Sequence, residues 1–212
     1  MKQDKKDYAA EIIKRLKKKY GKIRCALVFN EPYELLFATI LSAQCTDERV
    51  NIVTAELFKR YKTVKDYAGA DVKELEKYIH SAGFYRNKAK NIIGSAKMIV
   101  EKYGGKVPET MEELLVLPGV ARKTANVVLG NAFNKAEGIA VDTHVIRIAN
   151  LLKLTKSENP VLIEQDLMKL FHKKQWTDIS HLIQTLGRRV CKARNPNHEI
   201  CPLKDICPSK NV

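Results

Sequence analysis

The chain of 212 residues lacks several things, and each absence removes a class of protein. No apolar stretch approaches the roughly 20 residues needed to cross a bilayer, so no membrane association is expected. The N-terminal MKQDKKDYAAEIIKRLKKKYGK is broken by charge throughout. It has no h-region and does not read as a signal peptide. There is no low-complexity linker and no long repeat, and 45% of residues are hydrophobic against 29% charged, which excludes a disordered chain. Strand patterns are nearly missing, since only Gly138-Ile-Ala-Val141 reads that way and it is too short to define a sheet. Acidic residues are also in deficit, with 24 against 38 lysines and arginines. Five cysteines cannot pair completely, and the expected compartment is the cytoplasm, so a disulfide framework is the wrong reading. Cys25 and Cys45 stand alone and are expected to pack as small apolar residues.

What is present is helical. Tyr8, Ile12, Leu16 and Tyr20 form an i, i+4 stripe with Lys17 to Lys19 on the opposite side. Leu35, Leu36, Thr39, Ile40 and Ala43 form a nearly all-buried helix after Pro32. The spacing predicts further helices over 48–61, 72–80, 86–103, 111–116, 122–131, 143–152, 160–171 and 177–190. Gly104-Gly105, Pro108, Pro118-Gly119 and Gly138 punctuate them, and Thr110 with Glu113 predicts a capping box. The fold class is all-α. A net charge of +14 favours a polyanionic partner, because each lysine or arginine that meets a phosphate releases a counterion. Lysine-rich wet faces would give the same excess with no such partner.

The most informative stretch is LLVLPGVARKTANVVLG, residues 114–130. A short helix ends, Pro118 and Gly119 turn the chain, and a second helix starts near Ala121. Pro118 cannot continue the first helix, and Gly119 tolerates positive φ. The second helix then begins with unpaired N–H groups and a positive dipole end, which suits a phosphate. An ordinary αα-corner fits these residues equally well. Taken bare, Lys123 in the first turn is a phosphate contact, and Asp142, following GIAV and preceding THVIRIANLL, is an N-cap. Near the C-terminus, CKARNPNHEICPLKDIC spaces Cys191-x6-His198-x2-Cys201-x5-Cys207. Three cysteines and a histidine satisfy tetrahedral zinc, and the intervening residues are too polar to hold a loop unaided.

Four motifs in order, SAQCTD at 42–47, LPGVARKTANVVL, AVDTHV at 140–145 and the terminal cysteine run, together with the chain length, resemble the endonuclease III family of helix-hairpin-helix DNA glycosylases. The resemblance implies a two-domain fold. A six-helix barrel domain spans 23–135 with the helix-hairpin-helix at about 111–131, and a cluster domain is formed by both termini, 1–22 plus 136–212, with its metal loop at 191–207. It implies base-excision repair of oxidised pyrimidines in double-stranded DNA carrying damaged bases or abasic sites, with β-elimination lyase activity.

On this resemblance Lys123 is the nucleophile that attacks C1′ of the damaged nucleotide. Its helix end, adjacent Arg122 and burial against DNA favour the neutral amine this requires. Asp142 stabilises the oxocarbenium-like sugar and assists proton transfer. Gln44 fills the gap left by a flipped nucleotide, and Phe84, where the family commonly has leucine, acts as an apolar wedge. Gly119, Val120, Ala121, Arg122, His144, Lys192 and Arg194 are expected to meet DNA. Ala121 departs from the family's second glycine, and His144 reads equally as an ordinary satisfied histidine. The family spacing is C-x6-C-x2-C-x5-C around a 4Fe-4S cluster, so His198 falls on the register of the second thiolate and is read as a ligand with Cys191, Cys201 and Cys207. Zinc and no metal at all are the alternatives. Histidine ligation makes a cluster more positive and raises its potential. The rival functions are an adenine-mismatch glycosylase and a non-catalytic, cluster-bearing DNA-binding or redox-sensing protein. A monomer in a prokaryotic cytoplasm, associated with the nucleoid, is expected.

Overall fold

The computed structural model describes residues 4–210, and the chain divides into two compact units, Cys25–Lys135 and Met1–Arg24 with Ala136–Val212. Among the described residues there is no β-strand. No helix among them is long and apolar enough to cross a membrane.

Residues Lys5–Tyr20 form α1, in the second unit. The first unit contains α2 (Pro32–Leu41), α3 (Asp47–Arg60), α4 (Val64–Ala68), α5 (Val72–Ile79), a 3-10 turn (His80–Ala82), α6 (Tyr85–Tyr103), α7 (Met111–Leu115) and α8 (Arg122–Ala132). Every residue of α2 from Glu34 to Leu41 is buried, and Phe37 meets Tyr67 with ring centroids 4.7 Å apart. Leu35, Leu36, Leu57, Leu75, Ile92, Ile99, Val128 and Leu129 fill this core. Each such side chain contributes ~1.5–3 kcal/mol by leaving water. Cys25 and Cys45 pack, half-buried, against it.

The spacing outlined six helices here, and the structure has a seventh, α4. Five residues are too few to show a period. The legible signal was Thr63 with Asp66, where the threonine Oγ1 accepts from the Asp66 N–H at 3.2 Å and the carboxylate accepts from the Thr63 N–H at 2.9 Å. The capping box expected at Thr110 is only half formed. Its Oγ1 accepts from the Glu113 N–H at 3.3 Å, but the Glu113 carboxylate accepts from the threonine hydroxyl at 2.7 Å rather than from the Thr110 N–H.

The second unit joins α1 to α9 (Thr143–Leu151), α10 (Pro160–Leu170), a 3-10 turn (Lys173–Gln175) and α11 (Trp176–Arg189). Ile12 and Leu16 of α1 are fully buried with Val145, Ile163, Leu167, Ile179 and Ile183. Cys191, Cys201 and Cys207 pack at the margin of this core. The strand-like Gly138–Val141 run is irregular, and the Ala140 carbonyl accepts from the Ser180 hydroxyl at 2.7 Å, a side chain standing where a neighbouring strand would.

Candidate functional site

The loop between α7 and α8 is built from tight turns. Leu117 N–H donates to the Leu114 carbonyl and Val120 N–H to the Leu117 carbonyl, both at 3.1 Å. Gly119 sits at φ 76°, and a Cβ there would lie 2.8 Å from the Asn91 side chain. Glycine is therefore demanded twice, by conformation and by contact. A Cβ on Gly94 would likewise stand 3.2 Å from the Pro118 ring, and Ser95 donates to the Pro118 carbonyl at 2.7 Å. Three residues of α6 thus form the floor of the hairpin, and their spacing from the motif hid them from sequence reading.

Helix α8 opens at Ala121, which is extended and makes no side-chain cap. Its first N–H groups therefore lack the usual oxygen acceptor, and the dipole end favours an anion. Thr124, Ala125, Val128 and Leu129 are buried, which turns Lys123 outward into solvent, while Arg122 is half-buried. Val120 lies in the turn just before this helix. Its side chain is buried and its N–H closes the turn on the Leu117 carbonyl.

Gln44 and Phe84 share an unusual backbone. Both are left-handed, at φ 54° and 47°, and both are exposed, Phe84 at 64%. Non-glycine residues hold this region only where surrounding contacts impose it, and such residues gather at functional sites. The ammonium of Lys88, a residue the motifs did not flag, lies beneath both tips.

In the second unit Asp142 is half-buried and caps α9, with Oδ1 accepting from the Val145 N–H at 2.9 Å. One carboxylate oxygen serves the helix, which leaves the second for other work. The His144 ring packs into the space of Gly187, where a Cβ would stand 2.9 Å from Nδ1, and that nitrogen lies 3.3 Å from Arg147 Nη2. The ring is half-buried. A shallow groove of about 520 Å³ beside it is lined by Thr143, Arg147, Arg188 and Lys192, a cationic surface.

Cys191, His198, Cys201 and Cys207 line one cavity of about 280 Å³. The loop that carries them is a chain of turns, with Cys201 N–H donating to the His198 carbonyl at 3.2 Å and Cys207 N–H to the Leu203 carbonyl at 2.8 Å. Among the described residues no three His, Cys, Asp or Glu side chains converge tightly enough for a single metal ion. The two observations differ because a mononuclear ion draws its ligands to about 2.0–2.3 Å from one point. Ligands set around a cavity of this size suit a polynuclear group. Burial pushes the Cys191 and Cys201 thiols up, opposed at Cys191 by Arg147, whose Nη1 donates to the Cys191 carbonyl at 2.6 Å. The Tyr20 hydroxyl is buried without a hydrogen-bond partner among the described residues, and burial first, then the neighbouring Cys201 and Cys191, pushes its pKa up. An orphaned donor near Cys191 and Cys201 fits a group that carries sulfur acceptors. Lys192 and Arg194 project, exposed, from the same loop.

Residues 37–173 match the HhH-GPD superfamily of base excision DNA repair proteins, and residues 191–207 match the iron–sulfur binding domain of endonuclease III. The endonuclease III of Synechocystis sp. is 54% identical over 205 residues, 97% of this chain and 94% of that one. A solved non-covalent endonuclease III–DNA complex is similar at a TM-score of 0.92 and 42% identity, covering 97% of this chain and 96% of that one. A trapped endonuclease III–DNA covalent intermediate, an estranged-adenine complex, is similar at a TM-score of 0.91 and 43% identity, with the same coverage.

Proposed function

Because this chain belongs to the endonuclease III family of the HhH-GPD base-excision repair proteins, we propose that it is a DNA glycosylase and AP lyase that acts on oxidised pyrimidines in duplex DNA through Lys123. The observation that carries this is the uncapped start of α8, held on a braced turn, with Lys123 exposed in its first turn. Phosphate binds the N–H groups without regard to base sequence, and the amine stands two residues away.

The amine nitrogen of Lys123 bonds to C1′ as the C1′–N bond to the damaged base breaks, and the base departs with a proton. Opening of the sugar ring leaves a protonated imine between Lys123 and C1′. Loss of a C2′ proton then expels the 3′ phosphate and nicks the strand. Asp142, whose Oδ1 is held by the Val145 N–H, supplies negative charge to the cationic sugar as the base leaves. Gln44 and Phe84 occupy the gap in the stack from which the nucleotide was drawn.

Cys191, His198, Cys201 and Cys207 hold a 4Fe-4S cluster with Cys3His ligation, which supplies folding energy to the loop and presents Lys192 and Arg194 to phosphates. The family match at 191–207, the cavity and the orphaned Tyr20 hydroxyl support the cluster. We place the protein as a monomer in a bacterial cytoplasm.

The test is borohydride trapping on abasic duplex DNA. A covalent adduct is expected from the native protein and none from Lys123→Gln, and its absence from the native protein would end the proposal in favour of a non-catalytic DNA-binding protein. Binding should weaken steeply with added salt, by about one unit of log–log slope for each phosphate neutralised. Elemental analysis showing zinc without iron would overturn the cluster.

A further inference from the structure

Lys88 is 4% exposed, and its ammonium has no carboxylate for company. It donates to three backbone carbonyls, of Leu41 at 2.8 Å, Ala43 at 2.7 Å and Ala82 at 2.9 Å. An ammonium has three protons, and here each has one acceptor. Burial pushes its pKa below the ordinary lysine range, with Cys45 acting the other way. A charge kept in such a place is costly, and a fold that needed only packing would use an apolar side chain.

The three acceptors show what the cost secures. Leu41 ends α2, and Ala43 directly precedes Gln44. Ala82 ends the 3-10 turn and lies two residues before Phe84, which opens the helix that carries Lys88. One cation therefore joins two loops more than 35 residues apart in sequence, just beneath two exposed side chains with left-handed backbone. Carbonyls at a helix end carry partial negative charge and lack intrahelical donors, so the lysine satisfies them and fixes their direction together.

We propose that Lys88 is a positioning residue, holding the Gln44 and Phe84 tips at the spacing needed to fill the gap left by an everted nucleotide. This rests on the glycosylase reading above. Lys88 touches neither substrate nor the reacting atoms. It sets the relation of two insertion side chains, whose strained backbones would relax separately without it.

The experiment compares Lys88→Met with the native protein on two substrates, a duplex carrying an oxidised pyrimidine and a single-stranded abasic oligonucleotide. The duplex demands gap filling and the single strand does not. Base removal from the duplex should fall by roughly tenfold or more, the scale of one lost set of buried hydrogen bonds. Borohydride trapping on the single strand should stay within about threefold, since Lys123 is untouched. In a duplex with 2-aminopurine opposite a tetrahydrofuran site, the fluorescence change on binding should be lost in Lys88→Met. Adding Lys88→Met to Gln44→Ala with Phe84→Ala should cost nothing further.

Equal loss on both substrates, loss on neither, or a further loss in the Gln44, Phe84 background would overturn the proposal. Failure of the native protein to trap on either substrate defeats the glycosylase reading instead, and the two failures are thus distinct. Should Lys88→Met not fold, Lys88→Gln retains donors on a shorter stem and is measured in the same way, with a selective duplex defect expected and an equal defect on both substrates counting against the role.

Discussion

The Ser95 hydroxyl donates a hydrogen bond of 2.7 Å to the carbonyl of Pro118. Ser95 is fully buried, and its hydroxyl finds its acceptor in that carbonyl. The bond ties the turn of the hairpin to the middle of α6, and Gly94 and Asn91 on the same helix complete the seat. The start of α8 is thereby held rigid before any ligand arrives.

Gly119→Ala should reveal that rigidity. The new methyl meets Asn91 at 2.8 Å, and the backbone at φ 76° is strained for any side chain, so a loss of ~1–3 kcal/mol is expected from thermal or denaturant unfolding. Asn91→Ala in the same chain should recover the contact share of that loss and leave the conformational share.

Asp142 offers a separation of cap from chemistry. Asparagine caps helices as well as aspartate does, so Asp142→Asn should change stability by only a few tenths of a kcal/mol. Base removal should nevertheless fall by ~10²–10⁴, the usual range for a lost acid–base group. A single-turnover assay beside a melting curve reads both. Equal activity in Asp142→Asn would reduce the residue to its cap.

The cysteine loop should depend on its cluster for order. Removing iron with a chelator is expected to raise hydrogen exchange across 191–207 while α2 and α6 stay protected, because the loop has turns and few apolar anchors of its own. His198→Cys should keep the visible absorbance and lower the reduction potential, since a thiolate adds the negative charge that imidazole lacks. An unchanged potential would remove His198 from the ligand set.

Stability of the Cys25–Lys135 unit should decline at alkaline pH. Burial, then Glu34, Glu31 and Asp66, raises Tyr33 from 10.0 to about 12, and burial drives Tyr67 higher still. Raised phenol pKa values mean that folding favours the neutral form. Their contribution is complete below about pH 10 and is lost as pH rises through about 12. Denaturant midpoints measured across this window check the slope. Tyr67→Phe should flatten it at little cost below pH 10, because the Tyr67 hydroxyl has no hydrogen-bond partner among the described residues.

Much of this was legible from sequence because its causes are local. The helix periods, the Pro118-Gly119 turn, the cap at Asp142 and the spacing of Cys191, His198, Cys201 and Cys207 each depend on neighbours within a few residues. Even where local reading fell short, as at Val64–Ala68, a Thr63–Asp66 signal was present in the chain.

What only the folded chain decided is a set of partnerships across long separations. Lys88 reaches carbonyls 45 and 47 residues away, Ser95 one that is 23 away, and α1 joins a core whose other members begin past residue 136. A lysine in an amphipathic helix has the same letters and the same period whether it faces water or is buried under two loops. Sequence states which groups a residue carries, and close packing alone selects which carbonyls, three in the case of Lys88, come within hydrogen-bond distance of them.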